Sequence, residues 1–373
     1  MNFEEYAAKP LLKAAGILIP RGKIAGTADE AEAIAAELGA SVIKAQVPTG
    51  KRGKSGGIAL CQTQGEAREA ALRILGMNIG EHTVRQILVE EQVPIAKEFY
   101  AAVLNDAASK GPLLLFSSEG GMDIEEIAES HPDKLVRVSI DIRKGLDRGA
   151  LSEALPAIDG LSSTTLSEAL SHLYSVYTDN DAELVEINPL VLTDDGTLIA
   201  LDCKFVLDDS GIKRQQNLSE SGTPETLTAA ETHAKDIGFR YIELDGNVGV
   251  LANGAGLTMT SMDAVRHFGG KPANFLEIGG EAYRLGKEAL EIILAKPGIK
   301  SLLINFCGAF ARTDVMVEGI VTAWKEINPS IPIFFTIHGT GAAEAVAMVK
   351  DQLDIEPYEL MDDAVRAAVE AAR

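Results

Sequence analysis

The sequence predicts a mixed chain, an α+β first part followed by a parallel, doubly wound α/β second part. Three observations predict it. From Asn247 onward, a short apolar run, a glycine-bearing turn and an amphipathic stretch recur four times in the same order. That is the sequence form of a parallel sheet with crossover helices. The earlier residues mix strand-like and helix-like stretches without such an order. Within them, "LVEINPLVLTDDGTLIALDCKF", Leu184 to Phe205, reads as two apolar strands around a turn.

The elements follow in order. Residues 1–16 read as an acidic amphipathic helix ended by Gly16, and "ILIPRGKIA" as extended chain. "TADEAEAIAAELG" has Thr27 as N-cap and stops at Gly39. "SVIKAQV" is a strand, a Gly- and Lys-rich loop follows, then the strand "GGIALCQ" and the helix "TQGEAREAALRILGM". "TVRQILVEEQV" and "AKEFYAAVLND" read as a strand pair, "GPLLLFSSEGG" as another strand and "MDIEEIAESHP" as a short helix. Helices fill the region from Asp147 to Thr178, before the hairpin. "DDSGIKRQQNLSESGTPETLTAAETHAKD" has little apolar periodicity until its Ala-rich end, so it reads as a linker and a connecting helix. This places the domain division at 1–235 and 236–373. In the second part "NVGVLANGAG", "ANFLEIGG", "SLLINFCGAF" and "IPIFFTIHGTG" each precede a helix. Their glycines fall at the carboxyl ends of strands, where such sheets bind ligands.

Composition narrows the function. Of 373 residues 46% are hydrophobic and 24% charged, as in globular proteins. The net charge of −21 argues against nucleic acid and against an anionic membrane surface as partners. It leaves room for small anionic ligands wherever a local basic loop dominates its own pocket. Cys61, Cys203 and Cys307 are odd in number and widely spaced, without a disulfide or zinc pattern, which points to a reducing compartment. The first residues lack an apolar signal core, and no apolar run reaches membrane-spanning length, so a cytoplasmic location is expected.

Two stretches hold polar groups suited to chemistry. In the hairpin, a loop of Asp194, Asp195 and Gly196 sets Thr193 against Thr197, Asn188 against Asp202 and Glu186 against Lys204. Alternation puts all four of the last-named side chains on one face, with Leu190, Leu192, Leu198 and Ala200. Asn188 and Asp202 then offer two hard oxygens at one point, a set that suits Mg²⁺. A structural ion pair and an Asn at a bend before Pro189 explain the same residues in a blander way. The loop "TGKRGKSGG", Thr49 to Gly57, combines four glycines with Lys51, Arg52 and Lys54, and Lys44 precedes it on a strand. It can cradle an anion through backbone amides and cations, or be a solvated hairpin tip. It is not a Walker loop, because a strand follows it instead of a helix. Glu90 ends an apolar strand and Glu98 lies in the next segment; each can accept from a nucleotide sugar or base, or be a solvated strand end.

Six blocks carry a family resemblance: "MNFEEYAAKPLL", "VIKAQVPTGKRGKSGGI", "ILVEEQVPIAKEFY", "SSEGGMDIEEIA", "VEINPLV" with "LDCK", and "ANGAGLTMTSMDAVRHFGGKPANFLEIGG". Together and in this order they resemble the β subunits of succinyl-CoA synthetases, the ADP- or GDP-forming acyl-CoA synthetases. The resemblance covers nearly the whole chain. It implies an ATP-grasp domain, with a small lobe at about 21–99, then a flavodoxin-like CoA-ligase domain. It implies that Lys44, Arg52 and Gly53 contact nucleotide phosphates and that Glu90, Val93 and Glu98 line the base and ribose. Asn188 and Asp202 match Mg²⁺ ligands, and Glu186 matches a carboxylate that meets a phosphohistidine. Asn253 and the loop Gly308, Ala309, Phe310 and Ala311 match the substrate side of the second domain.

The implied reaction turns ATP (GTP in the alternative), a small carboxylate and CoA into acyl-CoA, ADP and phosphate. The histidine and the CoA site lie on an α subunit in that family, so a hetero-oligomer is expected. In agreement, His82, His131, His172, His233, His267 and His338 are scattered and form no such motif. The sequence departs from the family pattern at Glu281, in place of a glycine, and at Cys307 to Phe310, where Phe310 adds bulk near the expected acyl site. The acid is therefore left open between succinate or a malate-like acid and a different one, such as citrate or a sulfonated carboxylate. A nucleotide-binding regulatory subunit is the remaining alternative, against which Glu186, Asn188 and Asp202 all speak.

Overall fold

Glu5, Ala8, Lys9 and Leu12 recur at helical spacing and form the buried stripe of helix α1 (Glu5–Ala14). The helix starts later than the sequence suggests. Residues 1–3 are extended instead: the Leu207 amide donates to the Met1 carbonyl, the Phe3 amide donates to the Phe205 carbonyl, and the two rings meet edge-on at 5.0 Å. Gly16 follows the helix with φ +92°. In this computed structural model the chain divides into two units, Met1–Glu225 and Thr226–Arg373. The structure describes residues 1–50, 52–121, 124, 129, 132–224, 227–278 and 285–373. Most of the expected short helix at 122–132, and the departure at Glu281, lie outside the described residues.

In the first unit α1 leads to β1 (Gly22–Ala25), α2 (Ala28–Leu38), β2 (Ser41–Ala45), β3 (Ile58–Cys61), α3 (Gln64–Ile74), a small pair β4 (Asn78–Ile79) and β5 (His82–Thr83), and β6 (Ile87–Glu91). Thr27 and Glu30 form a capping box at α2. The sheet runs β1-β6-β2-β3, antiparallel throughout. Alternation sends Ile43, Ala45, Ile87 and Val89 into a core with α2 and α3. Val42, Lys44, Leu88 and Glu90 point to the other face.

A strap, residues 92–96, then changes sheets. β7 (Lys97–Asp106) heads a second sheet with β8 (Gly111–Ser117), β9 (Leu135–Ser139), β10 (Ala182–Leu192), β11 (Leu198–Ala200) and β12 (Lys204–Leu207). The order is β11-β10-β7-β8-β9, with β12 also on β10. The expected pairing of β6 with β7 is therefore wrong. Pro94 interrupts the strap, and the Ala96 amide bonds to the Leu192 carbonyl, which commits β7 to β10. Helices α4 (Arg148–Ala154) and α5 (Ser163–Asp179) lie between β9 and β10 in the chain. Leu170 and Leu173 of α5 meet Phe99, Leu114, Phe116 and Val185 in the main core. A short α6 (Gln216–Ser219) precedes the end of the unit.

The second unit starts with α7 (Ala229–Asp236), which the sequence reading had placed before its boundary, and β13 (Arg240–Glu243), β14 (Val248–Asn253), α8 (Ala255–His267), β15 (Asn274–Ile278), α9 (Gly286–Ala295), β16 (Ser301–Gly308), α10 (Thr313–Ile327), β17 (Ile333–Gly339), α11 (Ala342–Leu353) and α12 (Met361–Ala371) follow. The four predicted strands β15-β14-β16-β17 are parallel and adjacent in that order, with β13 added antiparallel on β15. Val250 and Leu303 face a core shared with α8 and α12. Leu251, Leu302 and Ile304 face the core of α9, α10 and α11 on the opposite side. The chain leaves β14 toward one side of the sheet and β16 toward the other. Their carboxyl ends thus flank a topological switch point, the place where open α/β sheets bind ligands.

Candidate functional site

The hairpin turn forms as its residues dictate. The Thr193 amide bonds to the Thr197 carbonyl at 3.0 Å, the Gly196 amide to the Thr193 carbonyl at 3.0 Å, and Gly196 has φ +84°. Leu192 pairs with Leu198, Leu190 with Ala200, and Glu186 with Lys204, as the turn geometry requires. Between these pairs the ladder breaks. The register of β10 against β7 slips by one residue, from Ile187 opposite Ala101 to Leu190 opposite Phe99. Pro189 has no amide proton for the ladder, so the strand bulges there. The expected single face is thereby corrected: Ile187 and Leu190 are both buried in the main core. Asn188 and Asp202 are not a ladder pair, but both face out at the bulge.

They open onto a cavity of about 390 Å3 whose wall includes Glu5, Arg52, Gly53, Glu186, Asn188 and Asp202. Asn188 Oδ1 accepts from the Gly121 amide at 2.9 Å. Tyr100 on β7 donates its hydroxyl to Glu186 Oε2 at 3.0 Å. The donor set fits Mg²⁺: two hard oxygens stand on one wall, and among the described residues no group of three His, Cys, Asp or Glu forms a closed cage. Mg²⁺ binds through one or two protein groups and takes phosphate and water for the rest. Cys203, next to Asp202, is buried, and its thiol is pushed well above the usual value by that burial. Its side chain packs in the main core.

Arg52 reaches this cavity by folding back from the glycine loop. The Gly57 amide bonds to the Arg52 carbonyl and the Ala45 amide to the Gly57 carbonyl. A Cβ on Gly57 would lie 3.1 Å from both Ala45 Cβ and the Arg52 carbonyl oxygen and would have to displace Ile79 Cδ1, so the turn is tightly packed there. The loop is no solvated tip at this residue. Arg52 is 7% exposed, with Nη2 2.6 Å from Asp202 Oδ1 and Nη1 2.8 Å from Glu5 Oε2. Lys51 lies outside the described residues.

Behind the cavity wall sits a cluster of buried charges. Lys44 Nζ is 2.9 Å from Glu5 Oε1 and 2.7 Å from Glu90 Oε2, and it donates to the Leu201 carbonyl. Lys9 Nζ is 2.7 Å from Glu5 Oε1 and 2.6 Å from Glu90 Oε1. Gly22 makes room for Glu90, since a Cβ there would lie 2.5 Å from Glu90 Cγ. Burial alone would raise the Glu5 carboxyl, but Lys44, Lys9 and Arg52 outweigh it and hold the group well below the usual range. Burial would likewise lower Lys44 and Arg52, yet the carboxylates around them raise both. Lys9, Lys44 and Arg52 thus meet Glu5, Glu90 and Asp202 in one ion-pair network whose inner members are buried.

The structure brings Arg52, Gly53, Glu186, Asn188 and Asp202 to one cavity. Lys44 and Glu90 stand behind its wall in the charge cluster. Val93 is in the strap and Glu98 on β7, and neither lines the cavity. In the second unit Asn253 is clamped to Cys307 at the switch point: its Oδ1 accepts from the Cys307 amide and its Nδ2 donates to the Cys307 carbonyl, both at 2.8 Å. Gly308 ends β16 in close backbone contact with Thr340, and Phe310 projects fully exposed from the loop with Ala309 and Ala311. Sequence reasoning missed Glu5, Lys9 and Tyr100. The sign for the first two was there: charged residues occupy the i and i+4 positions of the stripe that Ala8 and Leu12 bury. Among the described residues no helix is long and apolar enough to cross a membrane.

Comparison with known proteins agrees with this architecture. The ATP-grasp domain family matches residues 2–192, and the CoA-ligase family matches residues 251–368. The ATP citrate lyase of Methanothrix soehngenii, solved with citrate and coenzyme A, superposes with a TM-score of 0.71 at 24% identity over 99% of each chain, a likeness of fold. An ATP-grasp domain followed by a CoA-ligase domain defines the class, a ligase subunit of the acyl-CoA-forming kind. The chain is 42% identical over 372 residues to the β subunit of the GDP-forming succinate–CoA ligase of Thermus thermophilus, covering 99% of this chain and 97% of that one. It is 40% identical over 381 residues to the ADP-forming counterpart of Rubrobacter xylanophilus, covering 100% and 99%. It belongs to the succinate–CoA ligase β-subunit family.

Proposed function

We propose that this chain is the nucleotide-binding subunit of a two-subunit ligase that converts a nucleoside triphosphate, a small dicarboxylate such as succinate and CoA into acyl-CoA, nucleoside diphosphate and phosphate. The observation that supports this most is Arg52, a buried cation on the same cavity as Glu186, Asn188 and Asp202. Arg52 and Lys44 counter the charge on the transferring phosphoryl group, and the Gly53 loop offers backbone amides. Asn188 and Asp202 would hold Mg²⁺, which shields phosphate oxygens when bound. Glu90, Val93 and Glu98 serve the base and ribose side.

The γ-phosphoryl group passes to a histidine of an α-type partner, and Glu186, steadied by Tyr100, accepts a hydrogen bond from that imidazole as it arrives. The phosphoryl group then moves to the carboxylate, and CoA thiolate displaces phosphate from the acyl phosphate. On the second unit, Asn253 and the loop from Gly308 to Ala311 receive the carboxylate. ATP is the first choice of nucleotide and GTP the second, since relatives of both kinds match. The test is purification with the partner, followed by a screen of carboxylates for CoA-dependent release of ADP or GDP. Release with succinate, lost in Arg52→Ala, supports the reading; release that ignores CoA and carboxylate refutes it.

A further inference from the structure

The charge cluster holds two groups that the reaction does not call for, Glu5 and Lys9, and of these Glu5 reaches both phosphate-side cations. Glu5 sits on the first turn of α1, outside both the glycine loop and the hairpin, yet all three buried cations converge on it. Oε1 takes Lys9 and Lys44 at 2.7 and 2.9 Å, and Oε2 takes Arg52 at 2.8 Å. Its side chain has no exposed surface. The helix that bears it is fixed along the same buried stripe by Ala8 and Leu12, both fully buried in the main core. Lys44 and Arg52 belong to β2 and the loop after it. One carboxylate therefore ties two phosphate-side cations to a rigid mount that is remote from them in sequence.

We propose that Glu5 is a positioning residue for phosphoryl transfer, fixing the direction of Lys44 and Arg52 toward the nucleotide without touching it. The proposal rests on the reading of those two cations as phosphate-binding groups. Long cationic side chains lose rotamer freedom when they bind, and a site whose cations are already fixed avoids that loss. Arg52 has two carboxylate partners, Glu5 and Asp202. In that reading Asp202 would also hold the metal, whereas Glu5 has no such second duty and can hold the guanidinium whether or not the metal is bound. Without it, a buried guanidinium and ammonium would lack their shared counter-charge and turn elsewhere.

The test uses the complete complex with its α-type partner. In Glu5→Gln, affinity for a non-hydrolysable nucleoside triphosphate, measured by calorimetry, should fall about ten- to a hundredfold, the loss expected of a charge-assisted bond. The nucleotide KM should rise in parallel while those for CoA and carboxylate stay put. Glu5→Asp should fall between parent and Glu5→Gln. Leu12→Ala, on the same helix but in the apolar core, should lower the Tm without weakening nucleotide binding. Parental affinity in Glu5→Gln, alongside loss in Arg52→Ala, overturns the proposal and leaves the site reading standing. So does a loss for all three substrates in proportion to the fall in Tm. If Glu5→Gln does not fold, parental affinity in Glu5→Asp overturns it. Undiminished affinity in Arg52→Ala removes the site reading and the proposal together.

Discussion

At the scale of single residues, the hairpin and the charge cluster make separate predictions. Asp202→Ala and Asn188→Ala should abolish phosphoryl transfer while leaving the fold intact, because both side chains stand on the cavity wall and not in the core. Each should weaken binding of the Mg²⁺ nucleotide complex more than of metal-free nucleotide; equal Mg²⁺ dependence in variant and parent would count against the ligand role. Glu5 predicts a pH effect. Its carboxyl is depressed in the folded state, so it contributes stability above its usual value of 4.5, and this contribution is lost as pH falls through the depressed value. Urea denaturation should therefore show Glu5→Gln losing more stability at neutral pH than in strong acid. Phe310 predicts specificity. It projects from the loop after β16 with nothing packed over its ring. Phe310→Ile with Ala309→Gly should alter the preference among carboxylates and leave nucleotide affinity as it was; an unchanged substrate profile would remove Phe310 from the acyl site.

Elements meet tightly at the ends of β16 and β17. Gly339 has φ +83°, and a Cβ there would lie 2.1 Å from the Gly308 carbonyl oxygen. Gly269, in the same unit, has nearly the same backbone at φ +82° but nothing within 4 Å. Alanine at Gly269 should cost about 1 kcal/mol, the strain of a left-handed L-residue. Alanine at Gly339 should cost about 3 kcal/mol or more, because backbone has to move as well. Thermal denaturation of the two variants checks this, and equal losses would show that β16 and β17 are not in such close contact. The proposed carboxylate site rests on the same approach, since Gly308 leads directly into the loop that bears Phe310.

For the whole molecule, the proposed mechanism assigns the phosphoryl acceptor to a partner chain. Among the described residues, no histidine lines the cavity of the first unit. His338 lies at the end of β17, with Nε2 3.1 Å from Thr336 Oγ1. The chain alone, incubated with γ-labelled ATP or GTP, should stay essentially unlabelled. With its partner present, an acid-labile, base-stable label should appear on the partner. Stoichiometric labelling of this chain alone would overturn the two-subunit mechanism.

The sequence by itself determined the elements whose causes are local. The Thr27 cap, the Gly16 and Gly196 turns, the four parallel units and the hairpin register outside its bulge all depend on residues a few positions apart, and all were legible. The strands β6 and β7 were legible as well, but not their partners. Two apolar strands joined by a short strap are a plausible pair in sequence, and only the competing β2 and β10 edges send them to different sheets. The break at Asn188 and Pro189 was hidden for the same reason: parity along a strand is local, while a bulge is settled against the neighbouring strand. Among the candidate site residues, the glycines and hard oxygens stood out because their chemistry is unusual among apolar neighbours. Glu5 and Lys9 did not, since a charged pair on a helix reads as a solvated face. What buries them is the packing of α1 against strands that arrive later in the chain, and the charge of Lys44 and Arg52 makes that burial tolerable.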